Sequence, residues 1–140
     1  MKYRIAILED RKSYSNDLVT IISLELPDAA VDVFNDVDTA LGAVERTSPW
    51  DVWVVDLMMP VGSHFSSVEA DYGLATGSRF IDFLVDRGAA GSAIFVITSR
   101  NTDADRFSEK NDIIEECQKS EVTQVDLALK IKKHCEGLKK

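Results

Sequence analysis

No apolar run in the sequence approaches the roughly 18 residues that a membrane span needs, so a membrane protein is not expected. The start, Met1-Lys2-Tyr3-Arg4-Ile5, runs straight into strand-like residues with no signal-peptide pattern, and a cytoplasmic location is expected. Positive charge is scarce. With 16 Lys and Arg against 24 Asp and Glu, the net charge of −8 excludes nucleic acid as the main partner, because phosphate contacts need a basic surface. Cysteine is scarce too: Cys117 and Cys135 lie far apart and make no metal-like pair, so both read as reduced thiols. Internal repeats and low-complexity segments are absent. What remains, with 45% hydrophobic and 29% charged residues in 140, is the composition of one soluble globular domain over residues 1–140, large enough to bury a core.

Along the chain, short apolar runs alternate with helix-period segments. Strands are expected at Tyr3 to Leu8, Ala30 to Phe34, Asp51 to Val55, Ala93 to Ile97 and Asp112 to Gln118. The run DVWVV suits a strand buried on both faces, whereas Glu115 and Glu116 make the fifth strand a poor one by propensity. Helices are expected at Ser13 to Leu26, stopped by Pro27, and at Val37 onward, where Val37, Ala40, Leu41 and Val44 share a face. Others follow at Phe80 to Val85, Asp103 to Lys110 and Val122 to Gly137. Five βα units of this kind predict an α/β fold: a parallel sheet with helices on both faces and right-handed crossovers.

In such sheets ligands sit beyond the carboxyl ends of the strands, so the residues there matter most. Strand one ends in Glu9-Asp10, strand three in Asp56, strand four in Thr98 and strand five in Lys119. The second strand, ending near Asn35, contributes nothing on this reading. Three carboxylates cannot sit together ionised without a cation. An oxygen-only donor set with no histidine suggests a hard ion such as Mg²⁺, which bridges to phosphate. A carboxylate can attack as a nucleophile and form an acyl phosphate. Lys119 and the Thr98 hydroxyl would then neutralise and bind the phosphoryl oxygens. Taken singly, each residue has a plainer use: Asp10 as a helix cap, Asp56 as a turn residue, Thr98 bonding its own backbone, Lys119 as a surface charge.

Three runs resemble response-regulator receiver domains. IAILEDRKSY is similar to their first strand and acidic pair, DVWVVDLMMPVG to their phosphorylation strand with its Met-Pro, and FVITSR to the strand ending in the switch threonine. The resemblance covers essentially the whole chain. It implies a flavodoxin-like, doubly wound five-stranded sheet of order 2-1-3-4-5. It implies Mg²⁺ held by Glu9, Asp10, Asp56 and the backbone carbonyl of Met58, with Asp56 the phospho-acceptor, Thr98 the switch hydroxyl and Lys119 the phosphate-binding lysine. The donor would be a histidine kinase or histidine phosphotransfer protein, and the output would run through protein contacts. Such a domain acts once per phosphorylation and is not a turnover enzyme.

Three departures from the pattern stand out. Residues 61–76 separate Met-Pro from the Gly77-Ser78-Arg79-Phe80 start of the third helix, an inserted loop of about a dozen extra residues. It reads either as a solvated loop or as a lid or partner-recognition element, and it carries His64, Phe65, Val68, Glu69, Asp71, Tyr72 and Leu74. Ser120 stands where receivers place a cis proline after the lysine; the turn should be trans, with Ser120 free to cap the last helix. Glu116 stands at the position of the switch aromatic, and Arg100 and Met58 at positions that tune phosphate lifetime in relatives. A phosphorylation-independent receiver-like adaptor is the alternative these departures suggest. A dehalogenase-type phosphatase would need a second aspartate where Arg11-Lys12 follows Asp10, and a flavin carrier would need a phosphate loop where Glu9-Asp10 would repel one.

On the last helix, Val122, Val125 and Leu129 share one face, and Leu127, Ile131, Cys135 and Leu138 nearly the opposite one. One side is expected to be exposed as a homodimer or partner surface, with Leu127 and Ile131 the positions to probe. Met58 and Met59 read as packing residues, and Trp50 and Trp53 as core and rim aromatics.

Overall fold

A computed structural model describes residues 2–46, 49–70, 73, 75–87, 93–99 and 113–138. The strands are β1 (Tyr3–Leu8), β2 (Ala29–Phe34), β3 (Val52–Asp56), β4 (Ala93–Thr98) and β5 (Ile113–Gln118). They form one parallel sheet of order β2-β1-β3-β4-β5, the doubly wound order expected. The helices among the described residues are α1 (Lys12–Glu25), α2 (Val37–Arg46), α3 (Thr76–Asp86) and α4 (Gln124–Glu136). The helix expected at Asp103–Lys110 lies outside the described residues, as do Arg100, Asp71, Tyr72 and Leu74.

Side-chain alternation along the central strands divides the core in two. Ile5, Ile7, Val52, Val54, Phe95 and Ile97 face α1 and α4, meeting Leu18, Ile22, Leu127 and Ile131. Ala6, Leu8, Trp53, Val55, Ile94 and Val96 face α2 and α3, meeting Leu41, Phe80 and Leu84. Residues of β3 are buried on both faces, which is why its sequence lacks polar alternation. Asp51 falls just outside β3: its carboxylate accepts the Arg4 amide at 2.8 Å, tying the strand's start to β1. Trp50 and Trp53 are both core residues, packed with Phe34 and Phe80 in one aromatic cluster. The fifth strand forms despite its glutamates by pairing with β4, and the half-exposed Glu115 side chain meets Lys130 of α4 at 3.0 Å. Both cysteines are buried free thiols.

Helix α4 corrects two expectations. Leu127, Ile131 and Cys135 are its core face, whereas Val125 and Leu129 are 48% and 45% exposed. Leu127 and Ile131 are therefore no solvent-facing probe of a partner surface: they fill the space between α4 and the sheet. The helix is capped by Thr123, whose hydroxyl accepts the Asp126 amide at 3.1 Å, and not by Ser120, which stands one turn too early. Among the described residues no peptide bond is cis, so the Lys119–Ser120 turn is trans as expected.

The segment between β3 and α3 is docked. Asp38, in the first turn of α2, accepts the Ser63 amide at 2.9 Å, the Ser63 hydroxyl at 2.9 Å and the His64 amide at 3.3 Å. Gly62 permits this approach: it has φ +74°, and a Cβ there would fall 2.8 Å from Asp38 Oδ1. Ser66 and Glu69 form a reciprocal capping box, at 2.7 and 3.1 Å. His64 packs edge-on against Phe65 and Phe83, so it lies on the α2–α3 side and not among the acidic residues. The Thr76 hydroxyl donates to the Met59 carbonyl at 2.7 Å and closes the excursion.

Candidate acidic site at the strand ends

Register brings the acidic residues together. Leu8 pairs with Val55 and Asp56 with Ile97, so Glu9 stands level with Asp56 and one residue short of Thr98 along β4. Carboxylate oxygens of Glu9, Asp10 and Asp56 lie within 4.8 Å of one another. Lys119, in the turn after β5, donates from Nζ to Glu9 Oε2 at 2.9 Å and to Asp56 Oδ2 at 3.2 Å. Its amide is held by the Thr98 carbonyl at 2.8 Å, and Thr98 itself is fully buried. The structure thus gathers Glu9, Asp10, Asp56 and Lys119 and sets Thr98 beside them. Asp10 makes no cap, because Arg11 is the N-cap of α1 and has no side-chain cap bond.

Each member is fixed locally. Asp56 Oδ1 accepts the Met58 amide at 3.1 Å, which orients the carboxylate at the strand's end. Beneath it, the Gly77 amide donates to the Leu57 carbonyl at 3.0 Å, and a Cβ on Gly77 would strike the carbonyl oxygen of Asp56 and lie 2.6 Å from Leu57 Cα. Only glycine lets α3 start so close to the acidic site. Glu9 Oε1 accepts the Arg11 amide at 3.2 Å.

Two contributors escaped sequence reasoning. Asn35, just past β2, donates from Nδ2 to the Glu9 carbonyl at 2.8 Å and to Ser15 Oγ at 3.3 Å, so the second strand does support the site. Tyr14 of α1 lies under Lys119, with Nζ 4.3 Å from the ring centroid. Neither side chain is charged or nucleophilic, so neither carried a signal of its own.

Burial is the dominant electrostatic fact. It pushes the Glu9 carboxyl from 4.5 up to about 8, helped by the adjacent Asp56 carboxylate and opposed by Lys119. Burial also raises the Tyr14 phenol to about 12, helped by Glu9 and Asp56, so that ring stays neutral at working pH. Three carboxylates around a single ammonium leave a site short of positive charge. That donor set, all oxygen and partly buried, fits a hard divalent cation.

The chain has the fold of response-regulator receiver domains. Comparison with protein-family models finds no match, and comparison with curated proteins finds none. Solved structures do match. One is the signal receiver domain of a DNA-binding response regulator (merR) from Colwellia psychrerythraea 34H, 22% identical, with TM-score 0.73 over 96% of this chain and 98% of that one. A two-component response regulator from Legionella pneumophila is 16% identical, with TM-score 0.72 over 97% and 99%. A CheY-like response regulator receiver domain protein from Methanospirillum hungatei JF-1 is 17% identical, with TM-score 0.67 over 96% and 94%.

Proposed function

We propose that this chain is a receiver that accepts a phosphoryl group on Asp56 from a phosphohistidine of a histidine kinase or phosphotransfer protein. The observation that carries the reading is the convergence of Glu9, Asp10 and Asp56 within 4.8 Å, with the Lys119 ammonium 3.2 Å from Asp56. Glu9, Asp10 and Asp56, with the Met58 carbonyl, would hold Mg²⁺. The bound ion would supply positive charge to the phosphoryl oxygens.

In the transfer, an Asp56 carboxylate oxygen forms the new P–O bond as the donor's P–N bond breaks. The electron pair returns to the imidazole, which takes up a proton. The Met58 amide orients the nucleophile through Oδ1. Lys119 stabilises charge on the transferring group, and the Thr98 hydroxyl binds a phosphoryl oxygen once Asp56 is modified. Each phosphorylation is a single event, with no turnover of a released product. No helix of the described residues is long and apolar enough to cross a membrane. Residues 61–76 would be an inserted loop whose outer side, where Val68 is exposed, is offered to a partner.

One observation favours the adaptor reading instead. Glu116 of β5, where receivers carry an aromatic, is partly buried and its carboxyl is raised by that burial. The aromatic side of the usual threonine switch is therefore missing. Incubation with Mg²⁺ and acetyl phosphate, read by intact mass, separates the two. A single phosphoryl adduct that is absent from Asp56→Asn and blocked by EDTA supports the receiver. An adduct that forms only when residues 61–76 are shortened means that the loop shuts out small donors, whereas no adduct in either chain, both folded and binding Mg²⁺, sinks the receiver in favour of the adaptor.

A further inference from the structure

Lys119 is followed by Ser120 through a trans bond, so no proline ring in the main chain sets the direction of the lysine. Its side chain must cross from the β5–α4 turn to Asp56, and it is only 12% exposed. Two of its contacts are carboxyl oxygens, of Glu9 at 2.9 Å and of Asp56 at 3.2 Å. The third is the face of Tyr14, 4.3 Å from Nζ to the ring centroid, well inside the range in which an aromatic face attracts an ammonium. Tyr14 is in turn fixed to the helix that follows Lys119. Gln124, in the first turn of α4, donates from Nε2 to the Tyr14 main-chain carbonyl at 2.8 Å.

We propose that Tyr14 is a positioning residue, whose ring holds the Lys119 ammonium between Glu9 and Asp56. Its consequence for phosphoryl transfer rests on the receiver reading; the hold on Lys119 does not. An ammonium has three N–H groups, and two are taken by the carboxylates. The ring occupies one side without accepting a conventional hydrogen bond. The side chain is thus kept from swinging out to water without an N–H being taken by a further hydrogen-bond acceptor. A carboxylate in Tyr14's place would hold the lysine more strongly but would repel the incoming phosphoryl group. A neutral ring does the one without the other.

The test uses the full chain with Tyr14→Phe and Tyr14→Leu. Gln124 bonds the Tyr14 main-chain carbonyl, which both variants keep, and also the Tyr14 phenol, which both variants lose alike, so the comparison between Phe and Leu isolates the ring. Two readouts are taken: the proton shifts of the Lys119 ε-methylene, which the ring current moves upfield, and the rate of phosphorylation by acetyl phosphate with saturating Mg²⁺. The upfield shift should be present in the wild type, kept in Tyr14→Phe and lost in Tyr14→Leu. The rate should stay within about twofold for Phe and fall roughly tenfold for Leu, the scale of a desolvated cation–π contact. Ordinary Lys119 shifts in the wild type, or a Phe variant as impaired as the Leu variant, would overturn the proposal. So would a Leu variant phosphorylated at the wild-type rate. If neither the wild type nor the loop-shortened chain takes a phosphoryl group, yet the shift is present and lost only in Tyr14→Leu, the receiver reading fails and Tyr14's hold on Lys119 stands.

Discussion

Replacing Gly77 by alanine adds one carbon, and the structure assigns that carbon no room. Its nearest neighbours are main-chain atoms: the Asp56 carbonyl oxygen, Leu57 Cα at 2.6 Å and Asp56 C at 2.8 Å. None can rotate away as a side-chain tip would. Either α3 retreats from the sheet or the end of β3 bends, and overpacking of this kind costs about 1–3 kcal/mol, sometimes more. With main-chain neighbours under 3.0 Å the cost stands at the upper end, about 3 kcal/mol, and alanine recovers roughly 0.5–1 kcal/mol through its better helix propensity, so the net loss should be about 2 kcal/mol. Gly42→Ala is the internal control. It lies inside α2, and a Cβ there would meet only the Arg46 guanidinium at 3.4 Å, which can move, so the variant should gain about 0.5–1 kcal/mol. With a urea dependence near 2 kcal/mol per molar, Gly77→Ala should unfold about 1 M earlier than the wild type and Gly42→Ala slightly later. The atom struck is Asp56's own carbonyl, so Gly77→Ala should also be phosphorylated more slowly, and Gly42→Ala should not. A Gly77→Ala midpoint at or above that of the wild type would refute the packing argument.

Glu9 predicts a pH dependence of stability. Its folded carboxyl is raised from 4.5 to about 8, so the folded state holds this proton more tightly than the unfolded one. The stabilisation is complete below about pH 4.5 and is lost as pH rises toward 8. In EDTA the melting temperature should fall across that window and Mg²⁺ should restore it. Glu9→Gln should flatten the profile, and an unchanged slope in that variant would count against the assignment. Thr123→Ala should cost about 1 kcal/mol in urea unfolding and Ser120→Ala close to nothing, because the cap bond to Asp126 belongs to Thr123. A larger loss from Ser120→Ala would reverse that assignment. Asp38→Ala should release residues 62–66, seen as faster amide exchange at Ser63 and His64 and as protease cutting in the loop, with β3 and β4 still protected. Asp38's carboxyl is lowered chiefly by the Ser63 amide, so acid should undock the loop as pH falls through that depressed value. Unchanged exchange in Asp38→Ala would show that the loop holds itself.

The sheet was legible because its signals are local. DVWVV and AIFVI carry the unbroken apolar pattern of strands covered on both sides, and both became central strands within a residue of the expected bounds. The fifth strand was harder, because Glu115 and Glu116 argue against a strand by propensity. Pairing with β4 makes the strand, and Glu115 is tolerated in it because its side chain stays half-exposed and meets Lys130, fifteen residues away on α4. Helix α4 misled for a related reason. Helical periodicity separates Val125 and Leu129 from Leu127 and Ile131, but it cannot say which group meets the sheet. Side chains from α1 and the strands decide that, and they take Leu127 and Ile131.

At the site, the sequence exposed the residues whose chemistry speaks for itself. Carboxylates, a lysine and a threonine at strand ends stand out because burying them without a purpose is costly. The residues that aim them have no such mark. Asn35 is an ordinary turn residue until its amide is seen on the Glu9 carbonyl, and Tyr14 an ordinary helix aromatic until Lys119 is seen above it. Gly77 is the intermediate case: a lone glycine is common, and its meaning comes from the Asp56 carbonyl pressed against it. The contacts that fix Glu9, Asp56 and Lys119 join β2 to β1, α3 to β3, and α1 to the turn before α4. Periodicity is a property of one element at a time, so positioning residues that act across elements become visible only when the elements are packed.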